Sequence, residues 1–546
     1  MEIIYKNQKI QTKENEKISK ILEEEIKNNR LPVVGAIFNN EYKNLDEQID
    51  KDGTLELIDV SHKEGSKIYR RTLVYIMGKA FEELYPELKV SVDYQLGHSM
   101  FCDVVDNDVT SEMVEKLRNK MKEIIEKDLK IEKIKMNREE AEKLYEENGF
   151  HRGMLQLDLK DNPEIYMYKC EDYYNYFYGE IANRTGVAQI FDLIKYDNGF
   201  LIRYMSVEEP DKLPEYKETK KLGWALEEYD SIHKILNVDT VYRLNKNVKE
   251  KTIKDVIMLA EALHEKKIAN IADEIAKRKG VKIILIAGPS SSGKTSFAQR
   301  LGIQLMLNGI KPVTISVDNY FVERPDTPRT ESGEYDFECI EAIDLKLFNE
   351  HLEKLLKGEE IEMPQFDFKV GTKRYNGNMM KLHENEVLVV EGIHCLNDRL
   401  TSTISKDQKY KIYISALTVL NMDRFNRIST TDTRLIRRMV RDYKFRGYSA
   451  KDTIQRWPTV NLGEQKNIFP FQESADSIFN TSLIYELGAF KNVAIPILEE
   501  IKPEEKEYAE AKRILNMLKY FEPIPEHLIP TNSLITEFLG GGDFKY

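Results

Sequence analysis

The stretch Gly288-Pro-Ser-Ser-Ser-Gly293-Lys294-Thr295 fits the pattern G-x-x-x-x-G-K-[ST], and nothing else in the chain narrows its fold as far. The two glycines let the backbone curl until successive N–H groups aim at one point, which makes a receptor for phosphate oxygens. Residues 281–287 form an apolar, strand-sized run, and residues 296–307 carry a helical apolar period. The loop therefore joins a buried strand to a helix whose positive N-terminal end strengthens the anion site. Nucleoside triphosphate binding is the expectation, with Gly288, Ser290, Ser291, Ser292, Gly293, Lys294, Thr295 and Ser296 lining the phosphates. Lys294 would reach the β- and γ-phosphates, and the Thr295 hydroxyl would ligate Mg²⁺. Strand-like runs at 313–317, 387–390 and 411–415 alternate with helical stretches. That alternation predicts an α/β domain, a parallel sheet flanked by helices on both faces.

In such a sheet the C-terminal ends of the strands face the ligand crevice. Asp318 follows the run 313–317, and Glu391 ends the run 387–390. A kinase acting on a hydroxyl needs a carboxylate to take or orient its proton, and a second acid commonly holds Mg²⁺, usually through water. Asp318 is thus the candidate base and Glu391 the candidate metal residue, although either alone also reads as an acid capping a turn. Residues 423–446 hold seven arginines and one lysine against three aspartates, about +5 inside a chain of net charge −12. Arg427, Arg434, Arg438 and Arg441 recur at steps of seven, four and three, which puts them on one face of a helix. Guanidinium groups suit phosphate clamping; the plainer alternative is a surface helix paired with Asp432 and Asp442.

The phosphate loop, Asp318-Asn-Tyr-Phe, Val-Val-Glu391-Gly and Asp432-Thr-Arg434-Leu-Ile-Arg-Arg438-Met-Val-Arg441-Asp442 together resemble the uridine kinase branch of the uridine kinase/phosphoribulokinase family, over about residues 281–500. The resemblance implies a P-loop kinase that uses ATP as phosphoryl donor with Mg²⁺ and a nucleoside 5′-hydroxyl as acceptor. It implies catalytic roles for Asp318, Lys294 and Arg434, ATP contacts from Arg437, Arg438 and Arg441, and a lid over ATP formed by 434–446 that excludes water. On the acceptor side it implies Tyr320, Phe337, Glu338, Phe366, Phe368 and Arg446. Tyr335-Asp336-Phe337-Glu338 resembles the family's ribose-holding Phe-Asp stretch, with Glu338 in place of the aspartate. Pro364-Gln-Phe366-Asp367-Phe368 resembles its Pro-x-Tyr-Asp-Phe, but Phe366 lacks the hydroxyl, and no histidine follows within 369–374. A site built to hydrogen-bond a base discriminates strongly, so the reading stops at nucleoside kinase and leaves the base open.

The N-terminal half reads differently. Residues 1–62 outline a small β-grasp unit: a helical stretch at 18–27, strand-like runs at 33–38 and 55–60, and an Asp52-Gly53 turn. They resemble the TGS domain of threonyl-tRNA synthetases. Residues 63–210 follow as an α+β unit, with helices expected at 68–84 and 113–129. Lys67-Ile-Tyr-Arg-Arg71-Thr-Leu-Val-Tyr75 resembles the helix of the synthetase second additional domain, where two histidines four apart serve metal or editing chemistry. Here those positions are Arg71 and Tyr75, and of the partner C-x-x-x-H only Cys170 is present, opposite Tyr174. Zinc binding and editing are therefore not expected. This half reads as a retained scaffold that binds RNA or a small ligand, or that regulates. Residues 211–280 are assigned to a linker and helical connector, 281–500 to the kinase, and 501–546 to a C-terminal helix and tail.

The acidic total excludes a uniformly basic nucleic-acid coat. Four cysteines without a C-x-x-C pair speak against a disulfide framework. The polar N-terminus and strand-sized apolar runs give no signal peptide or membrane span, so a cytoplasmic protein is expected. A homo-oligomer is left open. Two other functions stay in view: a regulatory P-loop NTPase or RNA-associated factor, and a kinase for another small hydroxylated metabolite. A guanine-specific switch would need N-K-x-D downstream of the loop, and none is present.

Overall fold

Five parallel strands organise the C-terminal half. In the computed structural model, which describes residues 1–147, 154–159, 165–330, 333, 335–367 and 370–544, they lie in the order Lys311–Ser316, Glu386–Glu391, Ile283–Ala287, Lys409–Ser415 and Ser477–Asn480. Every neighbouring pair is parallel. The central strand, Ile-Ile-Leu-Ile-Ala, is buried along its whole length, as expected when helices cover both faces. One face packs on Phe297, Leu301 and Leu305 of the helix Lys294–Leu307, the other on Phe348 and Leu352 of the helix Leu345–Leu356. The fifth strand, Ser-Ile-Phe-Asn, is too short and too polar at its ends to stand out in the sequence.

The core does not stop at residues 281 and 500. Val241, Ile257 and Ile268 from the connector, and Ile514, Leu534 and Phe538 from the C-terminal tail, belong to the same buried cluster as Ile284 and Phe297. The helix Ile253–Lys277 lies along the loop helix, where buried Arg300 pairs with Glu261 at 3.3 Å and Glu265 at 2.8 Å. Apolar stripes on the flanking helices, outside the expected span 281–500, thus help to close the core of this sheet.

At the N-terminus, strands Glu2–Tyr5 and Gly53–Asp59 pair in parallel at the centre of a sheet ordered Gln8–Gln11, Glu2–Tyr5, Gly53–Asp59, Val33–Phe38, Glu41–Lys43. The short helices Ile18–Ile21 and Glu23–Asn28 complete the β-grasp outline. The next unit is α+β. Its helix Lys63–Leu84 is buried over most of its length against a four-stranded antiparallel sheet. Tyr75 is fully buried, its hydroxyl donating to the carbonyls of Tyr173 at 3.2 Å and Tyr168 at 3.4 Å. Cys170 is buried as well, and desolvation pushes its thiol up to about 11. Among the described residues no group of three or more His, Cys, Asp or Glu could hold a metal ion, and no helix is long and apolar enough to cross a membrane.

Candidate active site

The loop after Ile283–Ala287 adopts the backbone its glycines demand. Gly293, the residue before the helix, has φ +85, and an added Cβ would lie 2.5 Å from Leu534. Gly288 leaves no room for a Cβ beside the carbonyl of Ile414 on the neighbouring strand. Ser291 itself takes φ +58, the left-handed conformation that a curled N–H nest requires. The hydroxyls of Ser291 and Ser292 are buried without a hydrogen-bond partner, a cost of about 1–3 kcal/mol each unless a ligand supplies one. Lys294 Nζ donates to the carbonyl oxygens of Gly288 at 3.1 Å and Pro289 at 3.4 Å, which holds the ammonium over the loop.

Around this ammonium the strand ends gather acids. Asp318 lies in a short 3₁₀ turn, Val317–Tyr320, just past its strand. Its carboxyl opens to the cleft, yet the surrounding walls push its pKa upward while Lys294 and then Arg446 pull it down. Glu391 ends its strand and is likewise raised by burial, against the pull of Lys294. Glu338 is raised to about 7, first by burial and then by repulsion from Glu464, with Arg438 and Lys294 opposing. Lys294 acts on all three carboxylates, so Asp318, Glu338 and Glu391 surround one ammonium.

The arginines divide into two sets that the sequence does not separate. Arg434 makes two parallel bonds to Glu464, at 2.7 and 2.6 Å, and both side chains are buried, 2% and 1% exposed. Glu464 also accepts the Ser290 N–H at 2.9 Å. Arg437 bonds Glu486 at 2.6 Å and the Thr481 carbonyl at 2.7 Å. Both guanidiniums are buried and bonded to protein groups, with only Arg434 Nε lacking an acceptor among the described residues. The structure thus gives them a bracing place against the loop in place of the expected catalytic role of Arg434 and ATP contact of Arg437. Arg438, Arg441 and Arg446 are the set at the cleft. Arg438 donates to Ser290 Oγ at 2.7 Å, and all three cluster on Asp442. Arg438 and Arg446 have lowered pKa values, first from burial, with neighbouring arginines adding to the effect. Such like-charge crowding favours an anionic ligand.

Two further expectations change. The helix Thr430–Arg441 buries Leu435, Ile436, Met439 and Val440 completely, so it is a core element; only the segment beyond it leaves large side chains, Tyr443, Phe445 and Tyr448, exposed. Arg427 precedes the helix and leaves on another side. On the acceptor side Tyr320 is fully buried, bonded to His351 at 3.0 Å and stacked edge-on with Phe348. The tight 3₁₀ turn rotates it into the core, away from the cleft. Phe321 takes its place in an aromatic wall with Phe337 at 5.9 Å and Phe366 at 5.5 Å. Phe368 lies outside the described residues.

Two site residues escaped the sequence. Glu464 sits in a helix, Ala450–Asn467, that reads as an ordinary polar surface. Glu537 comes from the tail: its carboxylate accepts the Ser296 N–H at 3.2 Å and the Ser296 hydroxyl at 2.7 Å. A contact across 241 residues leaves no local signal.

A strand–loop–helix with a phosphate nest, an ammonium over it and acids at the adjoining strand ends is a P-loop arrangement on an α/β fold, suited to binding phosphate. Residues 283–484, in the C-terminal half, match the family described as Phosphoribulokinase / Uridine kinase family. The uridine kinase of Oceanobacillus iheyensis is 29% identical over 226 residues, 41% of this chain and 94% of that protein. The N-terminal part is similar to the threonine–tRNA ligase of Clostridium kluyveri, 32% identical over 163 residues, 30% of this chain. The match spans about a quarter (26%) of the length of that ligase. A solved structure described as a possible uridine kinase from Bacillus stearothermophilus is 20% identical, covering 39% of this chain and 98% of that one, with a TM-score of 0.26.

Proposed function

We propose that this protein transfers the γ-phosphoryl group of ATP to a nucleoside 5′-hydroxyl. The observation that carries the reading is the convergence of Asp318 at the mouth of the cleft with Lys294 and the cleft-facing arginines. The loop N–H groups and Lys294 bind and orient the triphosphate, and Arg438, Arg441 and Arg446 neutralise the charge that spreads over the moving phosphoryl group. Asp318 accepts the proton of the attacking hydroxyl; its raised pKa makes it a better base than an exposed aspartate. The hydroxyl of Thr295 and the carboxylate of Glu391 are hard oxygen donors that suit Mg²⁺. When bound there, Mg²⁺ supplies further neutralisation of the β- and γ-phosphates. The Phe321–Phe337–Phe366 cluster, its rings set at angles to one another, offers an apolar corner for a base, and Glu338 a carboxylate for ribose hydroxyls. Closure of 442–448 would exclude water. Under the same reading the N-terminal half is a binding or regulatory unit.

The test is a product screen: full-length protein with ATP, Mg²⁺ and each common nucleoside, alongside sugar phosphates and tRNA. A nucleoside 5′-monophosphate formed with equimolar ADP supports the reading. Phosphorylation of a sugar phosphate alone, or ATP hydrolysis stimulated only by tRNA, replaces it with one of the alternatives.

A further inference from the structure

Between the synthetase-like unit and the kinase lies a cavity of about 140 Å³ that the phosphotransfer chemistry does not use. Its walls come from both units: the helix Lys63–Leu84 on one side, and on the other the loop and first turn that lead into the helix Thr430–Arg441.

The cations that line this wall are not all paired to carboxylates. Five cations are present: Lys67, Arg70, Arg71, Arg427 and Arg513. Three carboxylates answer them, Asp432 in the wall and Glu64 and Glu510 just behind it. The pairing is specific. Arg513 bonds Asp432 at 2.7 Å and Glu510 at 2.7 Å, Arg71 bonds Glu64 at 2.6 Å, and Lys67 stands 3.5 Å from Glu64 and 3.6 Å from Asp432. Arg70 and Arg427 stand outside this pairing. Among the described residues neither has a carboxylate partner. Arg70 reaches only neutral oxygens, the Ser66 carbonyl at 3.3 Å, Gln95 at 3.3 Å and the Tyr204 hydroxyl at 3.5 Å. Arg427 makes a single long bond from Nε to the Asp93 carbonyl, 3.4 Å. The nearest acid, Asp93, turns its carboxylate to Lys234 at 2.9 Å, an ammonium it shares with Asp103 and Asp230, and offers Arg427 only its carbonyl and a longer-range attraction.

Placing two guanidiniums together without an anion is costly, and the cost shows at Arg427. Burial, despite the opposing pull of Tyr204, brings it down to about 10, with Arg70 adding to the depression. The fold nonetheless fixes Arg427 rigidly. Asp423 accepts the N–H groups of Phe425 at 2.7 Å and Asn426 at 3.0 Å, and the Asn426 side chain bonds the Tyr176 carbonyl at 3.1 Å. Those bonds tie the turn to the synthetase-like unit, so Arg427 is held at the cavity rather than free to swing to solvent. Preorganised, uncompensated guanidiniums are how proteins bind phosphoryl groups, two parallel N–H bonds at a time. The remaining wall, with Phe425, Met422 and Met517, is apolar and suits the body of a ligand. At roughly 30 Å³ per water molecule the volume holds about four or five waters, enough for a phosphoryl group and a few attached atoms.

We propose that this interdomain cavity is a binding site for a dianionic phosphoryl group, free phosphate or a phosphate monoester, gripped by Arg70 and Arg427. Two guanidiniums without carboxylate bonds match the several oxygens of a phosphoryl group better than a monocarboxylate. The site touches the start of the helix whose far end places Arg438 on the phosphate loop, so it joins the two halves of the molecule at a shared element.

The test is calorimetric titration of the full-length protein, with the P-loop first filled by saturating ADP and Mg²⁺, using inorganic phosphate, a nucleoside 5′-monophosphate and acetate as probes. The inference expects saturable binding of phosphate or of the monophosphate with Kd below about 1 mM, and none of acetate. The better of the two probes identifies the source. Arg427→Gln and Arg70→Gln should each weaken binding by at least about tenfold, while Lys294→Ala leaves it unchanged. Either arginine variant serves if the other fails to fold. Without ligand, both should melt no lower than wild type, because each relieves a like-charge contact. Absence of saturable binding, equal binding of acetate, or binding indifferent to both substitutions would overturn the proposal.

Discussion

Glu464→Gln separates bracing from catalysis in the arginine cluster. In the structure Glu464 receives two bonds from Arg434 and one from the Ser290 N–H, with both side chains almost wholly buried. Glutamine keeps the shape and one acceptor but removes the charge, so its amide would face a guanidinium that water cannot reach. Breaking a buried pair from one side costs about 3–5 kcal/mol; with one acceptor kept, the lower end, about 3 kcal/mol, applies. That is roughly a hundredfold in the folding equilibrium. The chain has two tryptophans. Trp457 lies against Arg434, centroid to guanidinium 5.4 Å, whereas Trp224 is 63% exposed. In a Trp224→Phe background, urea unfolding followed by Trp457 fluorescence reads this core directly. Glu464→Gln should lower the midpoint by the equivalent of about 3 kcal/mol and weaken ATP binding through the loosened loop. Arg438→Ala, at the cleft, should cost under about 1 kcal/mol of stability and act on ATP alone. If Glu464→Gln is as stable as wild type, or Arg438→Ala equally damaging to the fold, the division of the arginines is wrong.

Glu537→Gln should tighten ATP about tenfold in equilibrium dialysis, because a carboxylate on Ser296 opposes a phosphate seeking the same N–H; unchanged or weaker binding refutes that competition. Glu338 carries a pKa of about 7, above its unfolded value, so the protonated form is the one the fold favours. Its stabilisation is complete below about pH 4.5 and is lost as pH rises through 7, so wild type should lose about 1–2 kcal/mol relative to Glu338→Gln across that window after discounting for solvent. Parallel pH profiles in thermal melts would contradict this. Cys170, with its thiol pushed up to about 11, should resist alkylation at neutral pH in the folded protein, and chelators should leave its melting temperature unchanged; rapid labelling or a chelator-induced loss would restore a metal role to this half.

The parts of the site legible in the sequence are those fixed by backbone geometry. Gly288 and Gly293 stand where the chain must curl or admit a neighbour, and strand ends in a parallel sheet deliver Asp318 and Glu391 to one edge without further information. What the sequence conceals is where long side chains spend their charge. Arg434 and Arg438 lie one turn apart on one helix, yet one is sealed against Glu464 and the other faces the loop, and only tertiary packing decides which. Tyr320 misled for a related reason: the chain leaves its strand in a 3₁₀ turn, and one residue of rotation exchanges Tyr320 for Phe321 at the cleft. The apolar stripes of 253–277 and 508–519 announced helices but not that the kinase core was their partner. Glu537 was invisible because a tail reaches its target only after the fold exists.

The central claim is that Asp318 handles the proton of an acceptor hydroxyl beside a P-loop-bound triphosphate. Asp318→Asn, measured in single turnover with the nucleoside that the product screen identifies, puts that claim to its most direct test. The account predicts unchanged ATP affinity and a fall in the transfer rate of about 10²–10⁴-fold, the share typical of a general base. A variant that transfers phosphate at the wild-type rate, or one whose only defect is weaker ATP binding, would contradict it.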